Sequence, residues 1–439
     1  MGKHSNADEH TTEDYHDEVD ASVSSESTST VEEVDASVSS ESTSTVDEAP
    51  PAKEPKKRWP NKFQLRRMVA LAVIVVVVAV IAVVVYKKNH HIEYPDYVGT
   101  GHGAVLVEVL PGATAASLAP SLVKEDIVKS EGAFITAANN NPDIISMQPG
   151  YYQLRRQMSA EAAVVWLLDI DKRSGAVTIP DGSTLEDVRV INGKTVPGIY
   201  SRLASASCYK INDEKKCLTA DEFRNAVVRT DPLKLGVPKW AVKDVNKAPN
   251  QARAIEGLIA PGLHVFDPQA TPVEIIKSLI TESMAIFNDA GINAAAKERH
   301  LTRYEVIVMA SLLQREVAPA DYEKVARVII NRMRKGIPLQ FDSTVNYVQS
   351  EQEVATTDAA RQTDTPWNTY INQGLPITPI CSPSPDAIKA LIDPVKGPWL
   401  YFVTVDQKGT TKFNATIEEH ERDVERARKN GVFDRQKKD

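Results

Sequence analysis

Apolar residues along this chain fall into runs of three kinds, and each kind predicts a different element. Residues 68–85 are uninterrupted Met, Val, Ala, Leu and Ile, long enough for a helix to cross a hydrocarbon core. Residues 104–110 (AVLVEVL) alternate as a half-buried strand does, and Pro111-Gly112 ends them. Helical spacing then covers 114–122 with Thr114 as N-cap, and continues over 124–138 until Asn139-Asn140-Asn141-Pro142 breaks it. A second strand follows at 150–154, and a helix at 159–168 starts from Ser159. Residues 175–180 (GAVTIP) and 182–188 (GSTLEDV) repeat the strand-then-helix order in outline.

The second half is patterned more densely. It predicts a helix over 220–228, a strand pair over 256–266 and an amphipathic helix over 271–288. The helix at 302–316 is apolar on nearly every side, so it belongs inside a core. Residues 322–335 are amphipathic and stop at Gly336, a usual C-terminal signal. A buried strand at 399–405 (WLYFVTV) and a charged helix at 416–429 complete the pattern.

Charge divides the chain differently. Residues 1–49 hold fourteen acids and a single base, Lys3, whereas 50–88 hold nine bases and a single acid, Glu54. The remainder is close to neutral, which argues against a face for nucleic acid. Residues 18–31 (EVDASVSSESTSTV) recur unchanged as 33–46. A Ser-, Thr- and acid-rich tail of this kind cannot bury enough apolar surface to fold, and serves as a solvated spacer or as a partner-binding or phosphorylated segment. Lys53, Lys56, Lys57, Arg58, Lys62, Arg66 and Arg67 precede the apolar run, and Lys87 and Lys88 follow it. That bias predicts a cytoplasmic N-terminus and an extracytoplasmic remainder. The run lies far from the N-terminus and lacks a small-x-small pattern before Lys87, so an uncleaved anchor is expected over a signal peptide.

All three cysteines lie beyond the run. Cys208 and Cys217 are spaced so that a local disulfide is allowed but not required. Cys381, between Pro379 and Pro383, reads as a small buried side chain. No His, Cys and carboxylate set has metal-ligand spacing, and neither metal nor cofactor is expected. His420 reads as a surface or hydrogen-bonded histidine.

Glu316 is the chemically informative residue. It closes Met-Ala-Ser-Leu-Leu-Gln-Arg-Glu (309–316) and shares a helix face with Leu312 and Leu313. A carboxylate on such a face is costly to desolvate, and burial raises its pKa, which is how a general acid is made.

Four blocks in order, MASLLQRE, VARVIINRMRKGIPLQFDSTVNY, WNTYINQGLPITPICSP and WLYFVTVDQKGTTKFNAT, the last followed by EEH ending at His420, are similar to the YceG-like family of endolytic murein transglycosylases. The resemblance covers about 104–430. It implies a bacterial membrane enzyme that cleaves the β-1,4 bond between N-acetylmuramic acid and N-acetylglucosamine within nascent peptidoglycan strands, leaving 1,6-anhydromuramic ends and terminating elongation. The alternative is a catalytically silent peptidoglycan-binding scaffold. The resemblance assigns catalysis to Glu316, and substrate contact or support to Gln314, Gln340, Asp342, Tyr347, Asn368 and Tyr370. Read alone, Asp342 is also a rival nucleophile or a turn-capping residue. Arg332 and Asn331 are expected to fasten their helix. Implied partners are penicillin-binding proteins and division proteins.

Several positions depart from the family pattern. Gln314 stands where an acid is usual and Trp367 where Tyr is frequent. Pro261-Gly262-Leu263-His264 replaces a Pro-Asp-Thr-Tyr-like block, and Thr411 and Lys412 precede Phe413 where a histidine is often found. The expected fold class is α+β: a single N-terminal transmembrane helix, a LysM-like α+β module and a mixed α/β catalytic domain. The expected boundaries are an acidic tail at 1–57, basic flank and membrane helix at 58–88, a linker at 89–103 and the LysM-like module at 104–180. An intermediate α+β region at 181–299, the catalytic core at 300–430 and a polar tail at 431–439 follow.

Overall fold

A computed structural model describes residues 62–89, 93–190, 193–211, 214–349, 351 and 356–433. The acidic tail with its repeat, Lys53 to Arg58, and the end of the C-terminal tail lie outside the described residues. The chain divides into two units, Met1–Asn89 and His90–Asp439. In the first, the described residues form one helix, Lys62–Asn89, which contains the expected apolar span. Its window Arg66–Val83 is long and apolar enough to cross a membrane, and none of it is buried against protein.

The second unit opens with an antiparallel sheet of Thr100–Val109, Gly150–Met158 and Arg173–Ser174. Val107 lies opposite Tyr152 and Val105 opposite Leu154, so one face of the sheet is apolar. Helices Ala115–Lys124, Glu131–Asn139 and Ala160–Leu168 cover it and enclose a core of their own that includes Leu122, Phe134, Leu154 and Leu167. Thr114 and Ser159 cap their helices as the sequence predicts. The predicted helical stretch 124–138 is shorter than expected, because Ser130 caps a helix that begins only at Glu131. The described part of the expected linker is docked against this sheet unit. Asp96 accepts from Ala160 N at 3.0 and 3.1 Å. The Ser130 hydroxyl donates to the Pro95 carbonyl at 2.7 Å.

A second, larger core runs from Val177 to Leu391 and crosses residue 299 without interruption. It begins at the strand pair Ala176–Ile179 and Gly262–Val265. Two expectations fail here. Residues 182–188 turn instead of forming a helix and lead into the two-residue strand Val188–Arg189; only 262–265 of the expected 256–266 pair is strand. Cys208 and Cys217 are disulfide-bonded across the short strands Tyr209–Ile211 and Glu214–Lys216.

Helices Pro272–Asp289, Arg303–Glu316 and Tyr322–Lys335 build most of this core. Thr271 and Thr302 each complete a capping box with a glutamate three residues on, which fixes where the first two start. Arg303–Glu316 is the central helix, with every residue from Val306 to Leu313 buried. Gly336 ends Tyr322–Lys335 in the left-handed region, φ 64°. The predicted buried strand at 399–405 is only Tyr401–Thr404, half-buried and paired with Thr411–Asn414. Helix Ile417–Lys429 packs on that hairpin.

Candidate active site

Glu316 is the last residue of the central helix, at the point where the helix leaves the core. Leu312 and Leu313 are fully buried, Arg315 is exposed and Glu316 is half-buried. Beyond it Val317 turns to extended backbone. The carboxyl therefore sits at the end of a rigid element where it lines a cleft, and the residues around it come from elsewhere in the chain.

The short helix Asp342–Asn346 supplies the nearest group: the Ser343 hydroxyl donates to Glu316 Oε1. Burial pushes the Glu316 carboxyl up to about 7, opposed by the Ser343 hydrogen bond and reinforced by the Asp342 charge. A substantial fraction of Glu316 thus carries a proton at neutral pH, as a proton donor requires.

Asp342 has the opposite character. It accepts from Thr356 Oγ1 at 2.5 Å, from Arg361 Nε and Nη2 at 3.1 Å each, and from the Tyr370 hydroxyl at 2.6 Å. Burial alone would raise it, but those bonds and the guanidinium charge hold it below the ordinary carboxylate value. Its lone pairs are engaged, and it neither caps a turn nor stands free as a nucleophile.

Glu316, Asp342, Gln340 and Tyr370 share one cleft of about 370 Å³ with Arg332, Phe341, Tyr401, Phe402 and His420. Cavities of about 710 and 660 Å³ open elsewhere, and neither includes Glu316. Gln340 is exposed, and its φ of 55° is left-handed. That conformation is held by Gln340 N donating to the Thr369 carbonyl at 2.9 Å.

Other expected contacts do not line the cleft. Asn368 is 1% exposed; its amide nitrogen donates to the carbonyls of Arg361 and Thr363, and its oxygen accepts from Tyr370 N. Its amide is spent on shaping the loop that presents Arg361 and Tyr370. Tyr347 is buried with its ring 5.6 Å from that of Trp367, whose indole N–H donates to Thr378. Both aromatic rings are therefore core. Gln314 accepts from Ser384 N at 3.0 Å and fastens a neighbouring loop. Cys381 is buried, as its sequence context suggests.

His420 is half-buried. Its ring stacks on Tyr401 at 5.2 Å along the cleft, and its Nδ1 is sealed from solvent with no hydrogen-bond partner among the described residues. Arg332 also does more than fasten its own helix: it donates to the carbonyls of Leu400, Pro338 and Leu339, joining the hairpin to the loop before Asp342.

Sequence reasoning missed one acid altogether. Glu256 is 0% exposed, accepts from the Tyr347 hydroxyl at 2.9 Å and from Leu185 N at 3.2 Å, and is pushed up to about 7 by burial. It sits in a turn, where no apolar periodicity marks a position as internal. Ser343 was legible only as the neighbour of Asp342, since a contact across 27 residues leaves no local signature.

Comparison with known proteins agrees over most of the chain. The chain is 28% identical over 325 residues to the endolytic murein transglycosylase of Bacillus subtilis, a match covering 73% of this chain and 84% of that one. It is 28% identical over 331 residues to the protein of the same name from Streptococcus pneumoniae, covering 73% of this chain and 58% of that one. The crystal structure of a YceG-like protein from Listeria monocytogenes aligns with a TM-score of 0.47 and 23% identity, over 73% of this chain and 98% of that one. The model of the YceG-like family matches residues 107–426. The chain belongs to the YceG-like family.

Proposed function

We propose that this protein is a membrane-anchored lytic transglycosylase acting inside peptidoglycan strands, with Glu316 as its acid and base. The observation that carries this reading is the division of labour in the cleft. A single carboxyl there is positioned and protonated for transfer, and the other acid is tied into an ion pair. Hydrolysis with a second carboxylate as nucleophile or base needs that second group free. Cleavage without water needs only one.

In the proposed reaction Glu316 gives its proton to the glycosidic oxygen as that oxygen leaves the muramic C1. The muramic C6 hydroxyl attacks C1 and closes the 1,6-anhydro ring, and its proton passes to the Glu316 carboxylate. The bond from C1 to the leaving oxygen breaks, the bond from C1 to O6 forms, and Glu316 returns to its starting state. No water enters. Ser343 holds the carboxyl in place, and Asp342 holds Tyr370 against the cleft wall.

The names of the Bacillus and Streptococcus relatives support the same activity. The helix Lys62–Asn89 would serve as a single-pass anchor, with the basic residues before it on the cytoplasmic side and the catalytic unit outside. The sheet unit beginning at Thr100 is read as a LysM-like glycan-binding module. Penicillin-binding proteins and division proteins are the proposed partners, since termination of a strand must be coupled to its synthesis.

The test is product analysis. The intact protein, incubated with uncrosslinked glycan strands, should release fragments ending in 1,6-anhydromuramic acid, detected by mass spectrometry. Reducing ends instead would identify a hydrolase and return Asp342 to consideration.

A further inference from the structure

The cleft carries a charge that the proposed proton transfers do not use. Arg332 is 6% exposed, and among the described residues its hydrogen bonds go to neutral acceptors: the carbonyls of Leu400, Pro338 and Leu339, and Gln340 Oε1. Among the described residues it joins no ion pair with a carboxylate. Buried cations are usually paired, because taking a guanidinium out of water without a counter-charge is costly. Here burial lowers the guanidinium's proton affinity, opposed by the hydroxyl groups of Tyr401 and Tyr370 and not by a carboxylate.

The cost falls at a surface that a ligand can reach. Arg332, its guanidinium 5.0 Å from the centre of the Tyr401 ring, and exposed Gln340 both line the cleft. Gln340 turns its side-chain oxygen to Arg332 at 3.2 Å. That leaves the two N–H donors of its amide without a partner among the described residues, directed by a buried positive charge. The residue is also held in a left-handed conformation that a non-glycine side chain adopts at some cost, φ 55°. A cation, oriented donors and a strained presenting residue on one wall make a receptor for an anion. The other wall is unsuited to one, since Asp342 already neutralises Arg361 there.

We infer that the Arg332–Gln340 wall is a subsite for a carboxylate carried by the substrate, namely a free carboxylate on the peptide that substitutes the muramic residue beside the cleaved bond. Gln340 donates directly and Arg332 supplies the countercharge behind it through their shared hydrogen bond. This rests on the transglycosylase reading and adds a preference to it: strands with free stem carboxylates are better substrates than strands in which those carboxylates are amides. It also orients the strand, because the charged substituent lies toward the hairpin wall and away from the Asp342–Arg361 pair.

The experiment compares kcat/KM of the full-length protein on two uncrosslinked strand preparations of equal length, one with free stem carboxylates and one with the same groups converted to primary amides. A charge-assisted hydrogen bond lost from the second should lower kcat/KM about tenfold. In Gln340→Glu, at an exposed position, the new carboxylate occupies the subsite, pairs with Arg332 and brings the ratio to about one or below. Raising salt should shrink the wild-type ratio and leave that of the variant where it is. Equal cleavage of both strands by the wild type overturns the subsite while leaving the transglycosylase reading intact. A wild-type ratio retained in Gln340→Glu also overturns it. Cleavage of neither strand by folded protein removes the transglycosylase reading and the subsite together.

Discussion

Glu316 and Glu256 are two carboxyls that burial pushes to the same value, about 7, in two different parts of one core. Glu316 ends a helix at an open cleft, with Ser343 as its polar neighbour. Glu256 is sealed, and its acceptors are occupied by a backbone amide and a tyrosine hydroxyl that belong to the fold. A raised pKa marks both as unusual, but only Glu316 lines a cleft, and that is why the proposed acid is Glu316 and not Glu256. Glu256 instead ties the segment at Leu185 to Tyr347, the residue that follows the helix carrying Ser343.

The comparison makes sharp demands on mutants. The largest effect belongs to Glu316→Gln, which keeps the shape and removes the transferable proton; strand cleavage should fall by about 10³-fold or more with the melting temperature preserved. Substantial activity in that variant, measured by anhydro-end formation, would end the assignment. Glu256→Leu should instead act on stability, losing about 2–3 kcal/mol in denaturant unfolding at pH 5, where the carboxyl is protonated in the folded protein, because Tyr347 and Leu185 N lose their acceptor. A loss of activity without loss of stability would move Glu256 into the chemistry.

The pH dependence separates the two further. A carboxyl that is harder to ionise in the folded state destabilises the protein as pH rises from its ordinary value of 4.5 toward about 7, because the unfolded chain gives up its proton first. For Glu256 the full penalty is on the order of 3 kcal/mol, absent below that window and complete above it. Glu256→Gln should therefore show a smaller drop in melting temperature between pH 5 and pH 8 than the wild type. An unchanged drop would mean that Glu256 ionises as freely in the folded protein as in the unfolded chain. Activity should follow Glu316: kcat/KM declines as pH rises through about 7.

Two smaller effects refine the cleft side. Asp342→Asn leaves Arg361 without its carboxylate and slackens Tyr370, and should cost about tenfold in kcat/KM. It also removes a charge that raises Glu316, so the alkaline limb of the pH profile should move down; a limb that stays put would show that the two acids do not interact. Ser343→Ala removes a hydrogen bond that favours the ionised form, and should move the same limb up by less than about one pH unit.

The legible and illegible parts of this site differ in physical kind. The central helix and Glu316 at its end were readable, because apolar periodicity is local. Asp342, Gln340 and Tyr370 were found through the blocks that resemble the family, and the structure places all three at the cleft. Asn368 and Tyr347 belong to the same blocks yet are internal, since a motif records which residues recur and not which way they face. The helix expected at 182–188 failed for a related reason: that segment is fixed by contacts from afar, with Gly182 N donating to the Ser382 carbonyl and Ser382 N to the Ser183 carbonyl.

By itself the sequence determined the apolar helix Lys62–Asn89, the α+β order of the elements and the acid at the end of a buried helix, all set by interactions within a few residues. It also carried the family, because ordered blocks of that length are specific. Tertiary structure alone decided that Asp342 is tied to Arg361, that Ser343 meets Glu316, that buried Arg332 meets Gln340 and that Glu256 is sealed. Each of those depends on burial and on partners 8 to 91 residues away, and neither burial nor a distant partner leaves a local signature along a chain.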